Sequence, residues 1–244
     1  MCWSGEASAA IAVGGLTSAY YLKKKGEPKE IYYPVAYFVL MEGLQAATYM
    51  VVGACGNTYN LLFTRLAVAH ICFQPFFINM LGMAFIDKEV KNKIKNYVYL
   101  FCGIVAVLCL FRLLPLYDQF GNCKLGSPLC SHTETCAFRG EWHIGWNVML
   151  NGFNEGFIWY IIASFVLPVI YGSWKWVGYH YLVGPFLASL TTVNVNERPA
   201  VWCLFSTMII ALLVNTKLRQ YIYVKKWLPW NYLNYSNKTV TDTN

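Results

Sequence analysis

Glu42, Gln45, His70, Gln74, Asn147, Asn151, Asn154 and Glu155 are polar or ionisable side chains set inside long apolar runs. A charge in the hydrocarbon zone of a bilayer costs at least about 2.5 kcal/mol, so such residues are functional candidates by default. Gln45 follows Glu42 by three residues and Gln74 follows His70 by four, so each pair shares a helical stripe. Asn147, Asn151, Asn154 and Glu155 are spaced to share one face of a later helix. A rise of about 1.5 Å per residue puts Glu42, His70 and Glu155 near mid-span. His143 and His180 are shallower, toward opposite surfaces. Two carboxylates and an imidazole at one depth influence one another's protonation strongly. One carboxylate tends to keep its proton, and the histidine switches near neutral pH. Those are the parts of a proton relay or coupled ligand site. The expected pocket is Glu42, Gln45, His70, Gln74, Asn151 and Glu155. His70, Glu42 and Glu155 also have the chemistry to hold Zn or Fe. Plainer readings stand beside these. Glu42 can be a neutral acid bonded to a neighbouring helix, and His70 a satisfied core histidine. Glu155, beside Gly152 and Gly156, can mark where a span begins.

Such groups need helices to carry them. Seven apolar runs divide the chain: roughly Cys2–Leu22, Ile31–Gly53, Leu61–Ile86, Tyr97–Leu116, Gly145–Tyr171, Trp176–Val193 and Ala200–Tyr221. Most approach the about 20 residues a helix needs to cross a bilayer. Backbone groups find no water there, so each run should be helical. Of the nineteen Lys and Arg residues, fourteen fall in alternate connections and the tail: Lys23, Lys24, Lys25, Lys29, Lys88, Lys91, Lys93, Lys95, Lys175, Lys217, Arg219, Lys225, Lys226 and Lys238. Positive connections stay cytoplasmic, which places the N-terminus outside and the C-terminus inside. The expected fold is all-α, an integral membrane bundle of seven transmembrane helices. Residues 1–230 form this domain, with a Cys-containing outer loop at 117–144, and residues 231–244 form a short polar cytoplasmic tail. No independent soluble domain fits the remaining length. Charge follows the first apolar run instead of preceding it, unlike a cleaved signal peptide. The net charge of +7 lies mostly on one face. That argues for an anionic inner leaflet as partner and against nucleic acid. Ala10, Gly14 and Ser18 form a small-residue stripe suited to close helix packing. Trp142, Trp146, Trp174, Trp176, Trp202, Trp227 and Trp230 read as an interfacial belt. Pro75 and Gly184-Pro185 should kink their helices.

Nine cysteines divide by depth. Cys72, Cys102 and Cys109 read as small core residues. Cys2, Cys55, Cys123, Cys130, Cys136 and Cys203 map to the outer side, where disulfides form. Cys55, Cys123, Cys130 and Cys136 are the disulfide candidates, with connectivity open. The rival is a metal site of Cys123, Cys130, His132 and Cys136, whose spacings do not match common zinc modules. Asn234-Tyr-Ser236 and Asn237-Lys-Thr239 match the glycosylation pattern but fall on the cytoplasmic side of this topology.

Several motifs together resemble an uncharacterised family of small polytopic membrane proteins beginning Met-Cys-Trp-Ser. They are Cys2-Trp-Ser-Gly-Glu-Ala-Ser8, Met41-Glu-Gly-Leu-Gln45, His70-x3-Gln-Pro-Phe-Phe-Ile-Asn79, Gly140-Glu-Trp-His143, Tyr171-Gly-Ser-Trp-Lys175 and Asn196-Glu-Arg-Pro-Ala-Val-Trp-Cys203. The resemblance implies an architecture and no catalytic residue. Retinal proteins need a lysine midway along the last helix, where only the terminal Lys217 is present. Membrane zinc hydrolases of the alkaline ceramidase and progestin-receptor type need a His-x3-His pair there, and the last run has no histidine. No phosphate loop, H-E-x-x-H or G-x-S-x-G occurs. The leading expectation is a small transporter, proton-linked channel or ligand sensor, with the bilayer and a small ligand or proton as partners. A metal-dependent intramembrane hydrolase acting on lipid is the alternative. A non-catalytic membrane assembly partner is the third.

Overall fold

A computed structural model describes residues 3–153, 155–215 and 217–227. Cys2, Trp230 and both glycosylation-type sequons lie outside the described residues. Three of the long helices begin at a capping side chain. Ser4 accepts the Ala7 amide at the head of α1, Gly5–Lys24. Asn57 accepts the Tyr59 amide to open α3, Thr58–Gly82. Asp87 accepts the Glu89 and Val90 amides to open α4, Lys88–Phe111. Each cap pairs donors that a helix leaves free. Between α1 and α3 runs α2, Lys29–Tyr49. The α4 cap starts that helix well before the expected Tyr97, so Lys88, Lys91, Lys93 and Lys95 sit on or beside helical turns instead of in a loop.

The α1–α2 pair is packed through small side chains, but on a different stripe from the expected one. Ser8, Ala12, Gly15, Ala19 and Leu22 are buried. Ala10 and Gly14 face outward. A Cβ at Gly15 would lie 2.2 Å from a Val39 methyl, so glycine sets how closely the helices approach.

The second half contains two helices with wide turns. α6, Glu155–Ile161, passes through a π-helical turn, Ile162–Val166, into α7, Leu167–Ile170. α8, Trp174–Tyr181, passes through another, Leu182–Phe186, into α9, Leu187–Thr191. Pro168 and Pro185 accompany these turns, and a residue without an amide hydrogen favours such rearrangement. α10, Arg198–Asn215, follows. The short α5, Tyr117–Phe120, and α11, Leu218–Ile222, complete the helices described.

The all-α expectation needs correction at Gly145. Ile144–Met149 is the central strand β3 of a small sheet. It pairs parallel with β1, Cys130–Ser131, and antiparallel with β2, Cys136–Arg139. Ile144, Trp146 and Val148 are buried along β3, and a period of two is that of a strand. The expected fifth helix therefore starts at Glu155, and Asn147 and Asn151 share no helical stripe with it. Trp146 and Trp176 are fully buried core residues, which removes them from the expected belt.

Among the described residues, three helices are long and apolar enough to cross a membrane: Thr58–Phe85, Lys88–Phe111 and Arg198–Asn215. Gly156–Ile170 is apolar but shorter. Three of the expected seven runs thus meet this measure of length and composition. The wide turns of the later helices interrupt two of the other runs.

The two ends of the helices differ. At one, Lys91 pairs with Glu30 at 3.2 Å, Arg219 grips Glu27 through two contacts of 2.8 and 3.1 Å, and the Lys175 ammonium donates to the Tyr221 carbonyl. This basic end gathers the lysine connections. At the other end the sheet forms a cap. Asn60 of α3 donates to the carbonyls of Val51 and Ala137 and accepts the Ala137 amide. Asn196, just before α10, accepts the Trp146 amide through its carbonyl and donates to the Asn147 side chain.

Candidate functional site

The cap is held by a buried carboxylate that sequence reasoning did not single out. Glu197 is fully buried, and one of its oxygens accepts the amides of Trp142 and His143 at 2.6 and 2.5 Å. Its other oxygen accepts the Thr192 hydroxyl at 2.7 Å. A Cβ at Gly140 would lie 2.5 Å from this carboxylate, so the Gly140-Glu-Trp-His143 turn can close over it only with glycine. The Gly140 and Asn196 motifs therefore meet as donor and acceptor of one anchor. Their presence in the sequence was visible, but their partnership spans distant parts of the chain.

His143 lies beneath this turn and is also fully buried. Its Nδ1 accepts the Ile144 amide at 2.8 Å and lies 3.2 Å from the Tyr49 hydroxyl. The hydrogen therefore sits on Nε2, which has no protein partner. Burial pushes the imidazole down to about 3, so it is neutral at neutral pH. Trp3 stacks over the ring at 6.0 Å and donates to the Ser8 hydroxyl.

The residues expected in one pocket are distributed over several environments. Glu42 and Gln45 are fully buried on α2. The Ser8 hydroxyl lies close to the Glu42 carboxyl, yet neither carboxylate oxygen completes a well-formed hydrogen bond. Both polar atoms of the Gln45 side chain are likewise unpaired by protein. His70 turns elsewhere: its Nε2 bonds the Tyr37 carbonyl at 2.9 Å, its ring stacks on Tyr37 at 4.0 Å, and the Tyr37 hydroxyl donates to the His70 carbonyl. Gln74 accepts the Tyr160 hydroxyl at 2.7 Å and donates to the Cys203 thiol at 3.2 Å. Asn151 joins the cap, donating to the Phe111 and Leu114 carbonyls at the end of α4. Asn154 and the Glu155 side chain lie outside the described residues. The mid-depth meeting of Glu42 and His70 is therefore not formed. A helical stripe fixes direction only relative to its own axis; His70, Gln74 and Asn151 found partners on different neighbours, while Glu42 and Gln45 stay unpaired by protein.

Gln74 does reach a cavity. A space of about 360 Å³ lies between α3, α4, α6, α9 and α10, under Pro128, Leu129 and Leu150 of the cap. Its wall is mainly apolar, with Gln74, Arg112 and Arg198 among the polar lining residues. Pockets that hold small molecules span about 300–1,000 Å³ and combine an apolar wall with a few placed polar groups. Phe157, Ile161 and Tyr181, at its side, are 44, 37 and 50% exposed, so the space opens laterally between helices. Both π turns adjoin this wall through Ile161 and Pro185. A carbonyl freed in the first, that of Ala163, accepts from Asn79 at 2.8 Å, while Asn79 also accepts the Tyr171 hydroxyl. Two further sequence motifs are thereby explained as a brace for the bent helix beside the cavity.

Cys55 pairs with Cys136 and Cys123 with Cys130 as disulfides, using all four candidate cysteines. Cys72, Cys102, Cys109 and Cys203 are free and buried. Cys203, expected with the outer cysteines, is instead a core thiol held by Gln74. Among the described residues, the groups close enough to share a metal ion are Cys123, Cys130 and His132, and Cys55, Glu134 and Cys136. Their cysteines are oxidised, and a disulfide sulfur is not the thiolate that binds zinc. Of the proposed set, His70 and Glu42 are in neither group, and the Glu155 side chain lies outside the described residues.

A helix-rich protein with long apolar helices, a disulfide-tied cap and a lateral cavity is the class these features define. The model of a family of unknown function, DUF5765, matches residues 6–223, and the chain belongs to that family. No curated protein and no solved structure matches the chain.

Proposed function

We propose that this protein is a multi-pass membrane protein that takes a small, largely apolar ligand into its lateral cavity, as a sensor or transporter. The observation that carries the reading is the roughly 360 Å³ apolar cavity opening between helices. In this reading α1, α2, α3, α4, α6–α7, α8–α9 and α10 cross together as seven spans. Large apolar side chains exposed around the helices support a lipid surround, including Leu40, Leu100, Val107, Leu190 and Leu212. The lysine-rich end faces the cytoplasm and the sheet faces outside. Disulfides in the cap suit the oxidising side of a membrane. Glu42 and Gln45, behind Cys203, form a separate buried polar group that tunes the helix contacts nearby and does not meet the ligand directly.

Native mass spectrometry of protein released from lipid nanodiscs tests the ligand reading. One small amphiphile should remain bound per chain. Ala188→Phe, which fills the cavity wall from a buried position, should remove it while the fold remains. Retention of no ligand by the unmodified protein, or equal retention by the variant, contradicts the proposal.

A further inference from the structure

Resting on the reading of the cavity as a ligand site, we infer that its occupant is a single-chain anionic amphiphile of the fatty-acid class, with its carboxylate at Arg112 and Arg198. The two arginines come from separate elements, the end of α4 and the start of α10, and both line the same space. Arg112 has a buried Nε with no protein partner. Arg198 uses its Nε on the Thr192 carbonyl at 3.1 Å. Among the described residues neither is paired with a carboxylate. Glu197, adjacent in sequence to Arg198, spends its oxygens on the cap amides and Thr192. Among the described residues these two guanidinium groups beside an apolar space thus have no counter-anion, and planar guanidinium favours carboxylate through paired hydrogen bonds.

The remaining features choose the rest of the molecule. The wall beyond the arginines is aliphatic and aromatic, which suits an alkyl chain. The volume accommodates one short chain and not a two-chain phospholipid. The lateral opening is flanked by exposed Phe157 and Ile161, so the chain enters from the apolar surround and not from water. Both arginines lie at the cap end of their helices, where a headgroup would sit at the membrane boundary. Gln74 and Tyr160, bonded to each other, close the far end with a polar pair already satisfied.

Trp202 lines the cavity and supplies a local signal. Protein in neutral phosphatidylcholine nanodiscs is titrated with bromododecanoate, bromododecanol or bromododecylamine, at a pH where the acid is ionised. Saturable quenching is read against a Trp202→Phe control, which removes the cavity signal. The acid is expected to bind at least tenfold more tightly than the alcohol or the amine. Arg112→Gln together with Arg198→Gln should bring the acid to the alcohol's affinity and leave the alcohol unchanged. If that pair does not fold, the ranking on the unmodified protein and on Arg198→Lys still decides. Equal binding of acid and alcohol overturns the headgroup assignment while leaving the cavity as a ligand site. Preference for the acid that survives both Gln substitutions overturns the assignment to these arginines. Saturable quenching by none of the three overturns this inference and the ligand reading together.

Discussion

At the scale of single residues, His143 is buried without a full set of partners, a property it shares with His180. The His143 ring is neutral, with Nδ1 occupied and Nε2 unpaired by protein. The unfolded chain binds a proton near the usual histidine value of about 6.5, while the folded protein resists it down to about 3. Between these values the unfolded state holds more protons. Stability from this group is therefore complete above about pH 6.5 and is lost as pH falls, with a limiting slope of roughly 1.4 kcal/mol per pH unit. Thermal unfolding followed from pH 7.5 to 5 should show this decline, and His143→Gln should make it shallower by this group's share. An unchanged slope in the variant would show that other groups carry it. The sequence exposed Glu42, Gln45 and Gln74 as polar residues within apolar runs. It did not expose Glu197, because nothing in Asn196-Glu-Arg-Pro reveals which way the carboxylate turns. Arg112 and Arg198 were visible only as charges at span ends, since a shared cavity is a property of several helices at once.

At the scale of elements, the cap is tied to the helices by asparagines, by Glu197 and by disulfides. Cys55–Cys136 bridges a separation of 81 residues, between the α2–α3 connection and β2. Closing a loop of that length removes unfolded-state entropy worth roughly 4.5 kcal/mol in the chain-entropy account. Cys55→Ser with Cys136→Ser should loosen the cap, increasing proteolysis within residues 117–153, while far-UV circular dichroism stays near its original value. Loss of helix signal in step with cap cleavage would mean that cap and helices fold as one unit. Most helices were legible from apolar runs, and the disulfide cysteines from their position near the expected outer ends. The sheet was obscured because Gly145–Leu150 reads as a continuous apolar stretch broken only by Asn147. Such a short run does not distinguish strand from helix by periodicity alone. The π turns were signalled only as prolines, which predict a disturbance but not its form.

At the scale of the whole molecule, the separation of a basic end from a disulfide-tied end makes a topological prediction. A single cysteine at Lys24 should react with a membrane-impermeant maleimide only from the cytoplasmic side. One at Leu125, exposed on the cap, should react only from the opposite side. Labelling of both positions from one side would refute the proposed seven-span arrangement, whose odd number of crossings places the termini on opposite faces. The same arrangement puts the lateral cavity within the cap-side half of the bilayer. A fatty acid carrying a diazirine along its chain tests that placement most directly when photolysed with the protein in nanodiscs. The account predicts saturable crosslinks on the cavity wall, at Ile71, Tyr160 or Ala188, that excess dodecanoate displaces. Crosslinks confined to outward-facing positions such as Leu100, Val107 and Leu212, undiminished by competitor, would contradict it.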